Sequence, residues 1–144
     1  MKTRVLVLVT VALLLVLASC APQAGNTSPN ALQIGETAEL GQFLTDNAGL
    51  TLYMYTNDTT NTSTCIDTCA QNWPPLVIQG QPAAGEGVDA SFLGTTQRAD
   101  GSMQVTYKGH PLYYYAQDKN PGDTLGEAVK NVWYVVSPAG DPIQ

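Results

Sequence analysis

The chain has 144 residues, with twelve acidic side chains against six basic ones and 12% charged residues overall. An acidic, charge-poor surface repels nucleic acid and anionic lipid headgroups, so neither is expected as a partner. Thr, Asn, Gln and Gly fill the polar positions instead, a composition that suits an extracytoplasmic β domain better than a helical bundle.

Lys2 and Arg4 precede an apolar run over 5–16 that is interrupted only by Thr10. The run is shorter than the about 20 residues a membrane-spanning helix needs, so it reads as the core of a signal peptide over 1–19. "LASC" at 17–20 resembles a bacterial lipobox, which implies cleavage after Ser19 and a diacylglycerol thioether with palmitate-type chains on Cys20. The mature protein is then anchored to the cell membrane or envelope through lipid, outside the cytoplasm, and not embedded. Loss of the leader removes Lys2 and Arg4, leaving Arg98, Lys108, Lys119 and Lys130 against twelve acids, a net charge of −8. Residues 20–31 are rich in Pro, Asn, Ser and Gly without periodicity and read as a lipidated flexible tether. Residues 32–144 are enough for one domain with one core.

That domain repeats itself. "LYMYTND" at 52–58 returns as "LYYYAQD" at 112–118, and the same offset of 60 superimposes Gly41 on Gly101, Gly49 on Gly109 and Trp73 on Trp133 without a gap. The matched stretches place repeat one at about 36–79 and repeat two at about 96–139.

In each repeat, strand, Gly-containing turn and strand come first, with Asn47-Ala48-Gly49 and Asp100-Gly101 as turn chemistry. Side chains alternate along a strand, so Tyr53 and Tyr55 share one face while Leu52 and Met54 share the other. Apolar residues on both faces predict a buried central strand. A polar loop follows, then a helical turn, then Trp73 or Trp133 entering a last strand, "WPPLVIQ" or "VWYVVS". The predicted fold is mainly β: one compact domain of two tandem pseudo-symmetric repeats, each β-β-turn/short helix-β. Asp58 and Asp118 are expected to order the loops they begin by accepting backbone N–H bonds. A hydrolase using them as an acid–base pair is the competing reading. Tyr53, Tyr55, Trp73, Tyr113, Tyr115 and Trp133 are expected in the core, with an aromatic ligand shelf for a sugar or quinone as the alternative.

The repeats differ most at "CIDTCAQNWPP" in the first and "LGEAVKNVWYV" in the second. Cys65 and Cys69 there align with Leu125 and Val129, which predicts burial at both positions in both copies. With Cys20 given to lipid, two thiols remain in an oxidising compartment, and a disulfide is the default. Residues four apart in a regular helix hold their Cβ atoms about 5–6 Å apart, whereas a disulfide needs about 3.5–4.5 Å. The bridge therefore predicts a broken or non-helical turn.

The alternative at this place is metal or redox chemistry. A C-x3-C pair with a distant His is similar to copper sites of extracytoplasmic copper chaperones, and Cys65, Cys69 and His110, with Met54 and Met103 as thioethers, are the donors on offer. No C-x-x-C-H, H-E-x-x-H, G-x-S-x-G or phosphate loop is present, and the Asp and Asn residues of 56–67, though able to supply oxygen ligands, lack the spacing of a calcium loop.

The lipobox, the paired motifs "YMYTND" and "YYYAQD", "CIDTCAQNWPPL" and "YKGHPLYYYAQDKNPGDTLGEAVKNVWYVV" together resemble the bacterial secreted-repeat lipoproteins defined by a Y-x-[FWY]-x-x-D motif. The resemblance covers about 40–137. It implies a location and a two-repeat build but no reaction and no catalytic residues. The expectation is a non-enzymatic, cofactor-free binding or structural domain of the envelope, its partner an unknown envelope protein or small ligand. The alternative is an extracytoplasmic copper-binding or redox protein.

Overall fold

The computed structural model describes residues 28–144; the expected signal peptide, the expected lipidation site Cys20 and most of the expected tether lie outside the described residues. The chain is mainly β, as its alternation predicts. Strand β1 (Ala31–Thr37) turns back into β2 (Gly41–Thr45), with Ile34 opposite Leu44. β3 (Tyr53–Tyr55) and the single helical turn α1 (Thr68–Asn72) complete repeat one. A crossing segment carries β4 (Ala83–Ala84), parallel to β1, and a 3-10 turn at Ala90–Phe92. Repeat two contains the antiparallel strands β5 (Leu93–Gln97), β6 (Met103–Tyr107) and β7 (His110–Pro111), then a 3-10 turn at Val129–Asn131 and β8 (Trp133–Val135).

The repeats do not fold side by side; they exchange their last strands. β3 of repeat one pairs antiparallel with β8 of repeat two, Tyr53 opposite Val135 and Tyr55 opposite Trp133. Reciprocally, Tyr113 bridges Pro75, Tyr114 N–H donates to the Pro74 carbonyl, and Leu76 N–H donates to the Leu112 carbonyl. Between these two arrangements Tyr53 and Tyr113 trade backbone bonds, N to O at 2.8 and 2.9 Å. A pseudo-twofold axis therefore passes between them.

Three expectations are corrected. The segment after Trp73 runs extended but makes only isolated bridges, at Pro75 and Val77, where a strand was expected. Pro74 and Pro75 have no N–H to give to a ladder, whereas Tyr134 and Val135 do. Second, the repeat is not gap-free. Leu52 N–H donates to the Leu44 carbonyl and Leu112 N–H to Val105; Leu44 N–H donates to Val136 and Val105 N–H to Leu76. Leu44 thus corresponds to Val105, an offset of 61. The turn Asp46-Asn47-Ala48-Gly49 is one residue longer than Tyr107-Lys108-Gly109, which restores the offset to 60 at the motif. Third, Leu125 is 62% exposed although Cys65 is fully buried. The second loop also carries one extra residue: Asp58 takes the Thr64 N–H and Asp118 takes the Leu125 N–H, so the place of Cys65 belongs to Gly126.

The central strands divide the core as alternation requires. Leu52, Met54 and Leu112 pack on one side with Leu32, Leu44, Leu76, Val105 and Val136. Tyr53, Tyr113, Trp73, Trp133, Cys65 and Phe43 pack on the other. Among the described residues no buried side-chain nitrogen or oxygen lacks a hydrogen-bond partner.

Candidate functional site

The aromatic side of the core holds the repeated motif. Tyr53 Oη donates to Asp118 Oδ2 at 2.6 Å, and Tyr113 Oη donates to Asp58 Oδ2 at 2.5 Å. Each motif tyrosine is thereby bound by the aspartate of the other copy. The second oxygen of each carboxylate stays in its own loop, taking the N–H and hydroxyl of Thr64 at Asp58 and the N–H of Leu125 at Asp118. Both phenols also receive a bond, Tyr53 from Gly126 N–H and Tyr113 from the Ser63 hydroxyl at 2.7 Å. Burial, and then the facing carboxylate, push both phenols far above their ordinary range, so they remain donors. Asp118 is itself pushed up by burial, against the lowering effect of its bonds from Tyr53 and Leu125. These four groups are spent on one another, and the reciprocal pairs leave each aspartate in a different loop.

The second tyrosine of each motif also crosses between repeats. Tyr55 stacks on Trp133 with centroids 4.3 Å apart, Trp133 on Trp73 at 3.9 Å with planes only 2° apart, and Trp73 on Tyr115 at 4.3 Å. The result is a continuous four-ring column across the pseudo-twofold axis. Its flank opens into a cleft of about 500 Å³ walled by these rings, by Cys69 and Asn72 of α1, and by Val129 and Lys130 from the opposite turn. Neither Asp58 nor Asp118 lines it. The core placement of the aromatics and the ligand-shelf alternative thus meet in one structure, since Trp73 and Trp133 are 5% and 3% exposed yet edge a cleft.

Cys65 and Cys69 are bonded as a disulfide with Cα atoms 5.2 Å apart. The backbone meets the geometric demand by breaking the helix: α1 begins only at Thr68, and Asp67 before it has φ 50° and ψ −122°. Arg98, from the hairpin of repeat two, braces this loop through its guanidinium, donating to the Cys65 carbonyl, Ser63 and Gln104, each at 2.7 Å. Nothing in the sequence pattern singles out Arg98, because its partners in the disulfide loop lie 33 and 35 residues away.

His110 sits half-buried at the start of β7, across from Tyr107 and after the Lys108-Gly109 turn. Burial and the neighbouring Lys108 lower its pKa, which favours the neutral imidazole. A copper site of Cys65, Cys69 and His110 requires the disulfide to be reduced first. Among the described residues no three His, Cys, Asp or Glu side chains converge as a set of metal ligands. Met54 is buried in the aliphatic core, on the side of β3 away from Cys65.

A family model described as a secreted repeat of unknown function matches residues 36–77 and, a second time, 94–137. The chain belongs to this family. Both matches of the secreted repeat contain one Tyr-x-Tyr-x-x-Asp motif and one Trp, the residues that build the clamps and the column. The description places the protein outside the cytoplasm. No curated protein and no solved structure matches the chain.

Thr68, Asn72, Val129 and Lys130 escaped the sequence reading of the site. The only signal for them is position, immediately before the repeated Trp, and it becomes meaningful once the strand exchange brings both Trp rings together.

Proposed function

We propose that the protein is a lipid-anchored, non-enzymatic binding domain of the cell envelope, tethered through Cys20, with the aromatic cleft as its recognition surface. One observation carries this reading: both repeats contribute equivalent rings, Tyr55 with Trp73 and Tyr115 with Trp133, to a cleft of about 500 Å³ on their shared axis. That volume lies in the about 300–1,000 Å³ range of small-ligand sites. The carboxylates that would serve hydrolysis are occupied as hydrogen-bond acceptors from buried phenols, which supports binding over catalysis. In another groove, beside Leu32, Ile78 and Tyr114, Tyr114 already binds Asp46 and Asn30 already binds the Gln79 carbonyl.

Two measurements test the proposal. Labelled palmitate should enter the wild-type protein and not a Cys20→Ser variant; equal labelling removes the anchor. In ¹⁵N NMR the two indole N–H signals should both move on titration with ring-shaped fragments, monosaccharides and two-ring aromatics, while the Tyr114 region stays still. Indole signals indifferent to every fragment remove the cleft.

A further inference from the structure

The cleft's walls select among ligands. In the column each indole has both faces covered, Trp73 by Trp133 and Tyr115, Trp133 by Trp73 and Tyr55. What the indoles present to the cleft is their edges, and the edge of an aromatic ring is its electropositive part. A cation recognised through an aromatic face finds no free indole face here, only the outer faces of Tyr55 and Tyr115 at the two ends of the column. A flat ligand whose own π face meets the Trp edges is accommodated, in the edge-to-face geometry that Tyr53 already adopts on Trp73, 5.4 Å between centroids and 75° between planes.

Charge points the same way. The domain carries three acids for every base, yet the one charged side chain on the cleft is Lys130. Its three basic companions are engaged: Arg98 on the disulfide loop, Lys108 in an ion pair with Asp141 at 2.8 Å, and Lys119 on the Ala116 carbonyl. Lys130 is exposed and, among the described residues, its ammonium makes neither a hydrogen bond nor an ion pair. Backbone geometry fixes where it emerges, since Lys130 and its neighbours Ala128 and Asn131 all hold left-handed φ near 55°. Such a conformation is uncommon outside glycine. Tyr115 also lines the cleft, and among the described residues its hydroxyl has no hydrogen-bond partner.

We infer that the cleft takes a flat aromatic acid: a planar ring system standing against the Trp73 and Trp133 edges, its anionic oxygen held by Lys130. This rests on the reading of the cleft as the recognition surface and adds the class of ligand.

The test uses 2-naphthoate, its neutral isostere 2-naphthamide, and a two-ring quaternary ammonium, titrated into the full secreted chain and followed at the two indole N–H signals. Naphthoate should bind about three- to fivefold more tightly than naphthamide, the size of a solvent-exposed ion pair. In Lys130→Gln that advantage should vanish, the two probes binding alike and both still moving the indole signals, an outcome that loss of folding does not produce. High salt should weaken naphthoate alone. Equal affinity for acid and amide, or a Lys130→Gln variant that keeps the preference, overturns the ligand class and leaves the cleft standing. Tighter binding of the quaternary ammonium overturns it as well. If none of the three probes moves the indole signals, the cleft reading falls with it.

Discussion

Tyr53 of the first repeat and Asp118 of the second are joined by a 2.6 Å hydrogen bond across 65 residues of chain, and Tyr113 and Asp58 repeat the arrangement in reverse. The motif is conserved within this one chain because each copy completes the other. Removing either hydroxyl leaves a partly buried carboxylate short of a donor.

Tyr53→Phe and Tyr113→Phe should therefore each destabilise the fold by about 1–3 kcal/mol, with the rings still packed. Urea unfolding followed by tryptophan fluorescence measures this. Destabilisation of both within experimental error of zero would show the clamps to be incidental.

The Asp118 carboxyl is raised above its ordinary 3.8 by burial. The folded chain then keeps that proton to higher pH than the unfolded chain does, so between the two pKa values the native state binds more protons and stability falls as pH rises. The stability difference between wild type and Asp118→Asn should be level below about pH 3.8, decline as pH climbs through the folded pKa, and level off above it. His110 acts oppositely: its lowered pKa contributes stability that is complete above about pH 6.5 and is lost as pH falls below it. Urea midpoints across this range, for the wild type, Asp118→Asn and His110→Asn, separate the two slopes.

Reduction of Cys65–Cys69, or the double change to Ala, should lower stability by about 2 kcal/mol, the chain-entropy value for so short a loop. A Cys20→Ser protein purified without reductant should titrate no thiol after denaturation. Two free thiols would reopen the copper reading.

Gly126 fills the place that Cys65 holds in the first repeat, but against rings. A Cβ there would lie 2.8 Å from two atoms of the Tyr53 ring and 2.9 Å from Trp73. Gly126→Ala should cost about 1–3 kcal/mol as overpacking. At Gly101 the same change meets no atom within 4 Å and should cost only the strain of its φ of 85°, about 1 kcal/mol. Thermal melts of the two variants rank them.

Stacked indoles 3.9 Å apart couple their transitions. Far-ultraviolet circular dichroism should show an indole–indole exciton couplet that Trp73→Phe or Trp133→Phe each weakens strongly, leaving the smaller coupling of the remaining indole to Tyr55 or Tyr115. A couplet unchanged by both substitutions would refute the indole stacking.

Much of this was legible in the sequence. Alternation at Leu52-Tyr53-Met54-Tyr55 assigned the two faces that the aliphatic and aromatic cores occupy. Spacing of Cys65 and Cys69 anticipated the break at Asp67. What a repeat cannot reveal is whether equivalent strands pair within a copy or between copies, because both give the same pattern of apolar positions. Strand β1 carries a weak local signal, since "ALQIGET" has Gly35 in its interior and the polar Glu36 and Thr37 at its end, and it forms by pairing with β2. Identity matches misled at Gly41 and Gly101, which agree in sequence at an offset of 60 while the hairpins around them agree at 61. Lys130 was invisible because nothing about an exposed lysine signals a cleft until the other repeat supplies the opposite wall.

The strand exchange also makes the motif an address. A chain with one copy would display a phenol lacking an acceptor and an aspartate lacking a donor, each shaped for the other but unable to meet within that copy. Two such chains would close on each other about a true twofold axis and form the same column. In the present protein both copies lie in one chain, so the two halves need not be identical: one carries a disulfide, the other a lysine, and the cleft between them is asymmetric while keeping its walls.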